Sequence, residues 1–401
     1  MDKIFKLIAE EKKRQRETIT LIPSENYCSL DVEKAVGSCL GNKYAEGYPQ
    51  KRYYQGNKFV DQIEQLAIDR AKKLFGVKFA NVQPYSGSPA NAAVYFALLN
   101  PGDKIMGLAL SSGGHLTHGH PKITFSGRFF TSVQYTVEEN GIIDYEKLAE
   151  LVKKEQPKLL ICGTTSYPRK LDFQKFSKIA KSVNALLLAD ISHIAGLVVA
   201  GVHESPVGYA DIIMTTTHKT LRGPRGAILM TNDEEIAKKI DRAVFPGLQG
   251  GPHINTIAGI AVALHEAATT SFKKYGQQIV KNAKILAETL IKNKLDLVSG
   301  GTENHLMVID LQKLNLSGKD IAFKLEEAGI VANKNAVPND PQPPSISSGI
   351  RLGTPAVTTR GMKEKEMKII GNAIADIILN RKSPKVVKKQ IAKLCKQFPT
   401  L

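Results

Sequence analysis

The chain has 401 residues, 42% of them hydrophobic, and a formal net charge of +17. This length can bury the core of a large domain and a smaller one, and the lack of any run near the roughly 20 apolar residues of a membrane span excludes a membrane-spanning protein. The four cysteines show no paired framework, which predicts a protein of the reducing cytoplasm.

The N-terminal segment 1–14 carries apolar side chains at helical spacing among charged ones. Because acidic residues occur throughout, the pattern predicts a short amphipathic helix and not a signal or transit peptide. We therefore expect the protein to remain in the cytoplasm.

The segment 83–98 contains a short turn, Ser86-Gly87-Ser88, that runs into a helical pattern opening with Pro89. Proline suits the first helical position, and the free backbone N–H groups there bind phosphate. The same pattern is also an ordinary helix start, so both interpretations remain open at this point.

Three apolar segments, 158–162, 185–189 and 211–214, alternate with helical patterns. Such alternation predicts an α/β sheet with helices between its strands. Ligands of open α/β sheets bind beyond the carboxyl ends of the strands, so residues that follow these segments are candidates for a site.

A long helical stretch from about residue 254 to 293 leads into a second unit. Within that unit, 306–310 has the pattern of a strand and 321–329 that of a helix. We place the boundary near residue 280. The expected domains are the N-terminal arm with a large domain, 1–280, and a small C-terminal domain, 281–401.

Polar residues follow two of the predicted strands. Asp190 ends one strand, with His193 three residues on, and Lys219 follows the next. A lysine that loses its proton or forms an imine, and a carboxylate that pairs with a pyridine nitrogen, are the groups that pyridoxal phosphate chemistry needs. Taken singly, Lys219 also fits a surface lysine, Asp190 a helix N-cap and His193 a satisfied helical histidine.

Longer motifs occur along the chain in a fixed order. They are LIPSENY at 21–27, KYAEGYP at 43–49, KRYY at 51–54, SGGHLTHG at 112–119, TTHKTLRGPRG at 216–226, FPGLQGGP at 245–252 and GIRLGTP at 349–355. On these motifs the chain, from Thr20 to about Gly361, resembles the serine hydroxymethyltransferase family.

The resemblance implies the fold type I architecture of aminotransferase-like pyridoxal-phosphate enzymes. This architecture has a large domain with a mostly parallel seven-stranded sheet, a smaller C-terminal α/β domain, and a homodimer with shared active sites. The implied activity is the reversible transfer of the serine hydroxymethyl carbon to tetrahydrofolate, giving glycine and 5,10-methylenetetrahydrofolate, with pyridoxal 5'-phosphate held as a Schiff base on Lys219.

The resemblance also implies residues around the cofactor. Asp190 would pair with the ring nitrogen, His115 would stack on the ring, and His193 would lie near the phenolic oxygen. Thr216 and His218 are placed beside Lys219 among the catalytic residues. The remaining cofactor contacts are Ser86, Gly87, Ser88 and Thr165, with Tyr44, Gly250 and Gly251 expected from a neighbouring subunit.

For the amino-acid substrate, Arg351 resembles the arginine that clamps the carboxylate, since a planar guanidinium binds a carboxylate bidentately. Without the family pattern, Arg351 also fits a strand arginine that faces solvent. Ser24 and Tyr54 would assist around the substrate, Glu46 would handle protons near its hydroxyl group and the folate, and Arg225 would lie near the site. The implied folate contacts are Tyr53, Leu110, Gly114, Leu116 and Asn335.

A few positions depart from the family pattern. Gln50 and Gln55 stand where glycine is common, and Thr165 stands where serine is usual. If the turn at either glutamine requires positive φ, glycine would tolerate it best. These departures concern the rate and fine tuning of the reaction more than its class.

Two other functions stay in view. A pyridoxal-phosphate aldolase or transaminase without folate would share the cofactor site, and folate dependence of serine cleavage distinguishes it. An RNA-binding protein would use the basic charge, including the tail 381–396, although Val387 and Ile391 there fit an amphipathic helix with a solvated lysine face. We expect no nucleic-acid partner, no membrane partner and no metal, because His115 and His118 have no cysteine or acidic residue at ligand spacing.

Overall fold

The computed structural model describes residues 2–400. Its α-helices are α1 (Lys3–Glu17), α2 (Leu30–Val36), α3 (Lys58–Phe75), α4 (Gly87–Leu98), α5 (Phe125–Phe129), α6 (Tyr145–Glu155), α7 (Phe173–Lys181), α8 (Ala195–Val199), α9 (Glu234–Arg242), α10 (Ile254–Ala267), α11 (Thr270–Lys292), α12 (Gly318–Glu327), α13 (Pro355–Thr359), α14 (Glu364–Ile378) and α15 (Pro384–Gln397). Short 3₁₀ turns occupy Cys39–Asn42, Leu110–Ser112, Val298–Gly300 and Gln312–Leu314, and a π-helical turn occupies Ala243–Leu248.

The strands form one large sheet, one small sheet and two short pairs. They are β1 (Ile19–Thr20), β2 (Gly47–Tyr48), β3 (Lys51–Arg52), β4 (Phe79–Asn81), β5 (Lys104–Leu108), β6 (Thr131–Tyr135), β7 (Leu159–Gly163), β8 (Leu186–Asp190), β9 (Ile212–Thr216), β10 (Ala227–Thr231), β11 (Asp296–Leu297), β12 (Leu306–Asp310), β13 (Ile330–Val331), β14 (Asn333–Asn335) and β15 (Gly349–Gly353).

The large sheet has seven strands in the order β4-β10-β9-β8-β7-β5-β6, and β10 runs antiparallel to both of its neighbours. The pairs β9-β8, β8-β7, β7-β5 and β5-β6 are parallel. The predicted mostly parallel seven-stranded sheet is therefore confirmed, with β7, β8 and β9 at the predicted segments. β7 and β9 bury every residue, as expected for strands covered on both faces.

The helices that cover this sheet are amphipathic. In α7, Phe173, Phe176 and Ile179 recur at helical spacing and pack into the core under the sheet. The carboxylate of Asp172 caps the helix, since it accepts a hydrogen bond from the Lys175 N–H at 2.9 Å. Helices such as α7 connect successive parallel strands, so the carboxyl ends of β7, β8 and β9 lie at one edge of the sheet. The predicted site residues lie at this edge.

The small sheet has four antiparallel strands in the order β11-β12-β15-β14. β12 and α12 lie where the sequence predicts a strand and a helix. Residues from α12, α14 and α15, including Ile321, Ile370 and Ile391, share a hydrophobic core with this sheet. Arg351 lies in β15, paired with Val308 of β12.

Helix α11 runs without a break through position 280. Its first half packs Phe272 and Ile279 into the core of the large sheet, and its second half packs Leu286 and Leu290 into that of the small sheet. The N-terminal arm also packs on the second core, because β1 pairs in parallel with β13. The arm thus joins the C-terminal unit in space although it precedes the large sheet in sequence.

A helix lies near each end of the described chain, as predicted. α1 exposes Ile4 and Phe5, which retain 53% and 59% of their accessible surface, and buries none of its residues. α15 buries Val387 and Ile391 while its lysines face solvent. Across residues 2–400, every helix is too short or too polar to cross a membrane.

Candidate active site

A cavity of about 460 Å³ lies at the carboxyl ends of β7, β8 and β9. It brings together residues from distant parts of the chain that the sequence predicts to share a site. Those that line it are Ser24, Ser86, Gly87, Ser88, Leu110, Gly114, His115, Leu116, Thr165, Asp190, His193, Thr216, His218, Lys219, Arg225 and Arg351.

Lys219 lies in the turn after β9, and its Nζ donates a hydrogen bond to Thr216 Oγ1 at 3.0 Å. Burial lowers the pKa of the Lys219 amine to about 8, although the Asp190 carboxylate opposes the shift and Arg351 adds to it. About a tenth of this amine is therefore unprotonated and nucleophilic at pH 7, far more than of an ordinary lysine.

We expect this pKa to set the reactivity of Lys219 in cofactor-free protein. Its modification by trinitrobenzenesulfonate should rise with pH and reach half its maximum near pH 8, because only the unprotonated amine attacks. Peptide-resolved mass spectrometry measures the rate at each pH. Lys238 is the matched control, since the hydrogen bonds that it donates to Glu235 and Glu234 hold its pKa above the ordinary 10.5. If modification of the two lysines reached half its maximum at the same pH, the lowered pKa of Lys219 would be wrong.

Asp190 ends β8 and its carboxylate is 7% exposed. Oδ2 accepts hydrogen bonds from His118 Nε2 at 2.9 Å and Asn91 Nδ2 at 3.2 Å, and Oδ1 accepts one from the Ser192 N–H at 3.1 Å. Burial raises the pKa of this carboxyl, but the hydrogen bonds from His118 and Ser192 lower it by more, so the pKa lies well below its ordinary value. The carboxylate is therefore ionised and fixed in orientation.

His118 is a site residue that the sequence analysis missed. From the sequence, His118 was considered only as a metal ligand, a role that was rejected, whereas its ring is buried against Asp190. The two residues are 72 positions apart in the chain, so no local pattern could have paired them. Among residues 2–400, no group of histidine, cysteine and acidic side chains forms a metal site.

The turn at residues 86–88 lies at the N-terminus of α4, which begins at Gly87 and not at Pro89 as the sequence suggested. Proline is tolerated at the third helical position because the first turn's N–H groups have no intrahelical partner. A Cβ atom on Gly87 would lie 2.8 Å from Thr216 Cγ2, so glycine allows the turn to pack against β9. Residues 86–88 line the cavity, and the free N–H groups at the start of this twelve-residue helix suit a phosphate.

Arg351 reaches the cavity from β15 of the small sheet. Its Nη1 donates to the Thr165 carbonyl at 2.7 Å and its Nε donates to Asn333 Oδ1 at 3.1 Å. Burial lowers the pKa of the guanidinium to about 10, and no carboxylate in residues 2–400 forms an ion pair with it. A buried cation without a protein counter-ion favours an anionic ligand.

Three histidines of the cavity are held in the neutral form. Burial lowers the pKa of His115 to about 4, and its Nδ1 lies 2.8 Å from Thr117 Oγ1. Burial also lowers the pKa of His218 to about 3 and that of His193 well below its ordinary value. The Nδ1 of His193 lies 3.2 Å from Nε2 of His305, a second residue that the sequence analysis missed.

Apart from Asn335, the other predicted residues form a separate group, which we call the hairpin cluster. It comprises Tyr44, Glu46, Tyr53, Tyr54, Gly250 and Gly251, around the β2-β3 hairpin and the segment after the π-helical turn. The rings of Tyr44 and Tyr54 lie 5.0 Å apart, and a Cβ atom on Gly250 would lie 3.3 Å from Glu46 Oε1. Among the described residues that line the cavity, none belongs to the hairpin cluster.

The hairpin cluster is exposed but firmly supported. Tyr44, Tyr53 and Tyr54 retain 55%, 71% and 45% of their accessible surface. Beneath them, the buried Arg52 side chain pairs with Asp61 at 2.8 Å and with Glu64 at 2.6 Å. Exposed aromatic residues on a rigid support are typical of an interface with another protein.

Arg52 also donates hydrogen bonds to the carbonyls of Ala45 and Gly47, on either side of Glu46, at 2.9 Å each. The buried Gln83 amide donates to the Gly47 carbonyl at 2.9 Å and to Glu64 Oε1 at 2.7 Å. These contacts fix the backbone that carries Glu46, so the position of its carboxylate depends on the charges under the hairpin.

One of the two glutamines occupies a turn that favours glycine. Gln50 has φ of 64°, in the left-handed region, and its N–H donates to Asp61 Oδ2 at 3.1 Å. A non-glycine residue in this region is disfavoured by about 1–2 kcal/mol. Gln55 is not among the described residues with positive φ. The departure at Gln50 thus carries a conformational cost, and the one at Gln55 carries none of this kind.

Some of the predicted folate contacts line the cavity, and the others lie outside it. Leu110, Gly114 and Leu116 line the cavity. Asn335 lies beside it, with its Nδ2 donating to Ser166 Oγ at 3.3 Å, in a small neighbouring cavity. Tyr53 belongs to the hairpin cluster and contacts Phe245, with ring centroids 5.6 Å apart.

The donor set of the cavity fits pyridoxal phosphate. A nucleophilic amine, an ionised carboxylate, a helix N-terminus and an aromatic ring, that of His115, match the cofactor's aldehyde, ring nitrogen, phosphate and ring face. The buried Nδ1 of His218 and Oδ1 of Asn91 have no hydrogen-bond partner within the described chain. Polar atoms left in this state inside a cavity are expected to contact a ligand.

Comparisons with known proteins agree with this geometry. A sequence model of the serine hydroxymethyltransferase family matches residues 1–374. The chain is 54% identical over 404 residues to a serine hydroxymethyltransferase of Mycoplasma mobile, covering 99% of this chain and 96% of the relative. It is 55% identical over 399 residues to one of Desulfotalea psychrophila, covering 99% and 93%, and 54% identical over 398 residues to one of Campylobacter jejuni, covering 98% and 96%.

Proposed function

The chain belongs to the serine hydroxymethyltransferase family, and on that premise we propose that the cavity around Lys219 is where it transfers the hydroxymethyl carbon of serine to tetrahydrofolate. The products are glycine and 5,10-methylenetetrahydrofolate, and the reaction is reversible. The observation that supports this site most is the meeting of a desolvated amine, an ionised carboxylate and an unpaired guanidinium in one cavity.

Pyridoxal 5'-phosphate, the cofactor of this family, supplies a protonated ring that withdraws electrons from the substrate α-carbon when it is bound. Lys219 would hold it through the amine and Asp190 through the ring nitrogen. The phosphate would lie at Ser86, Gly87 and Ser88, where the first N–H groups of α4 are free.

Side chains of the protein itself have the remaining roles in the reaction. Arg351 binds and orients the substrate carboxylate, because its buried guanidinium has no counter-ion in the described chain. Nζ of Lys219, beside Thr216 Oγ1, accepts and returns protons inside the cavity. Glu46 moves the proton of the serine hydroxyl group, as general acid and base.

We assign Glu46 to the site of a second subunit. On its own chain Glu46 lies in the hairpin cluster with Tyr44 and Tyr54, away from the residues that line the cavity. A symmetric dimer in which each hairpin cluster covers the partner's cavity completes two sites at once and buries the exposed tyrosines. The proposed assembly is therefore a homodimer with shared active sites.

The proposed domains meet within α11, near residue 280, where the helix passes from one hydrophobic core to the other. The arm packs with the small C-terminal domain through β1 and Leu21. We place the protein in the cytoplasm, where its four unpaired cysteines suit a reducing environment.

The test is purified protein incubated with serine, with and without tetrahydrofolate. We expect glycine and methylenetetrahydrofolate to form in equal amounts and serine cleavage to depend on folate. Cleavage of serine at the same rate without folate would favour an aldolase that uses the same cofactor.

Replacing Arg351 with alanine is expected to weaken serine binding by about 2–5 kcal/mol, because the substrate carboxylate loses its partner in a desolvated site. Titration with serine, followed by the absorbance of the bound cofactor, measures the dissociation constant.

The matched variant is Arg351→Lys, which keeps the charge but not the planar pair of donors. It should recover little of the lost affinity. Cofactor content should stay unchanged in both variants, since Lys219 and Asp190 are intact. Parental serine affinity in both would place the carboxylate clamp elsewhere.

A further inference from the structure

His193 and His305 form a buried contact between the two sheets. His193 follows β8 of the large sheet, and His305 immediately precedes β12 of the small sheet. Their side chains are held ring to ring, with His193 Nδ1 and His305 Nε2 3.2 Å apart and residue exposures of 3% and 0%. Among the described residues that line the cavity, His305 is absent, so it acts on the site only through His193.

Both rings are neutral in this environment. Burial lowers the pKa of His193 well below its ordinary value, and nearby Lys219 adds to the effect. Burial lowers the pKa of His305 to about 3, with the charge of Arg351 contributing. A neutral imidazole carries one proton, so in the contact between the two nitrogens one ring donates and the other accepts.

The surroundings of His305 decide which ring donates. Its Nδ1 is buried and has no hydrogen-bond partner within residues 2–400. A proton at Nδ1 would leave an unpaired buried N–H, which proteins tolerate less often than an unpaired buried acceptor, whereas a proton at Nε2 is bonded to His193. His305 therefore donates from Nε2, and His193 accepts at Nδ1.

This arrangement has a consequence at the cavity. Because Nδ1 of His193 accepts, the proton of His193 must lie on Nε2, the ring nitrogen left for the cavity that His193 lines. We propose that His305 is a positioning residue that fixes the tautomer of His193, so that His193 presents an N–H donor to an anionic oxygen of the group bound there. That this oxygen belongs to the cofactor rests on the proposed function.

The backbone of His305 is itself held in place. Its carbonyl accepts a hydrogen bond from the Thr354 N–H at 3.0 Å, three residues beyond Arg351 in the chain. The segment that brings the guanidinium into the cavity is thus tied to the residue that sets the His193 tautomer. The same logic, a second group choosing which imidazole nitrogen carries the proton, operates in hydrolase triads.

The test is nitrogen-15 NMR of histidine-labelled protein loaded with pyridoxal phosphate, with the His193 signals assigned by their loss in His193→Gln. We expect Nε2 of His193 to be the protonated nitrogen in the parent. His305→Gln should preserve this tautomer, since its terminal amide can donate from the position of Nε2. His305→Asn is too short to reach, and there the proton should redistribute to Nδ1.

A second measurement distinguishes a role of His305 in positioning His193 from a role in folding. His305→Asn should lower kcat by about 10- to 100-fold, as loss of a partner that orients a functional histidine typically does, while His305→Gln stays within a few-fold of the parent. The KM for serine should change little, because Arg351 is untouched. His203→Asn is the matched control, since His203 is also buried but does not line the cavity in the described chain.

A parent protein with the His193 proton on Nδ1 would overturn the inference, as would an unchanged tautomer in a folded His305→Asn variant. Equal losses of kcat in the asparagine and glutamine variants, with an unaltered tautomer, would also overturn it. The NMR result needs no turnover. A protein without transferase activity but with the expected tautomers would refute the proposed function and leave this inference standing.

Discussion

Replacing Lys219 with glutamine is expected to lower turnover by about 10⁴-fold or more. The substitution removes the only amine that lines the cavity in the described chain, and with it both the covalent hold on the cofactor and a proton carrier. Initial rates of methylenetetrahydrofolate formation measure the loss. The parent, reduced with borohydride, should carry the cofactor on the peptide that contains Lys219.

The control is Lys238→Gln, which removes an exposed lysine that pairs only with Glu234 and Glu235 on its own helix. It should retain parental activity and cofactor content. Reductive label on any lysine other than Lys219, or a Lys219→Gln protein that still forms product at a comparable rate, would remove Lys219 from its assigned role.

Much of the fold could be predicted from local patterns. Buried strands such as β7 and β9 are continuous apolar segments, and the segments on either side of them have helical periodicity. The alternation of strands and helices is therefore visible in the sequence itself. The position of the N-terminal arm was not predictable in this way, because the pairing of β1 with β13 joins Ile19 to Ile330. Such long-range pairing depends on the assembled core and not on the sequence near either strand.

The same distinction applies to the cavity. Lys219 and Asp190 could be predicted because each follows an apolar strand and the carboxyl ends of neighbouring strands share an edge. His118 and His305 could not, since each acts through a residue far along the chain, 72 and 112 positions away. A sequence motif identifies groups that touch a ligand more readily than groups that orient them.

The division of the predicted residues into a cavity and a hairpin cluster has a physical reason. A carboxylate close to an unpaired buried Arg351 would neutralise it and compete with the substrate. In this structure Glu46 lies outside the residues that line the cavity, and Arg351 has no ion-pair partner among residues 2–400. We therefore expect that Glu46 and Arg351 of one site can be supplied by different chains.

Replacing Glu46 with glutamine is expected to lower folate-dependent turnover by about 10²–10⁴-fold, because the amide keeps the shape of the carboxylate but cannot exchange a proton. Cofactor content and serine binding should survive, since Lys219, Asp190 and Arg351 are untouched. Rates of methylenetetrahydrofolate formation and absorbance titrations with serine measure the two properties. Undiminished turnover would exclude Glu46 from the reaction, and loss of serine binding would make its role structural.

A mixed dimer shows which chain supplies Glu46. One subunit carries Lys219→Gln and the other Glu46→Gln, each with a different affinity tag, so that two purification steps isolate the heterodimer. If Glu46 acts across the interface, one site combines an intact Lys219 with an intact Glu46 from the partner, and the heterodimer regains about half of the parental activity. If Glu46 acts within its own chain, both sites remain defective, and a folded but inactive heterodimer would refute the shared site.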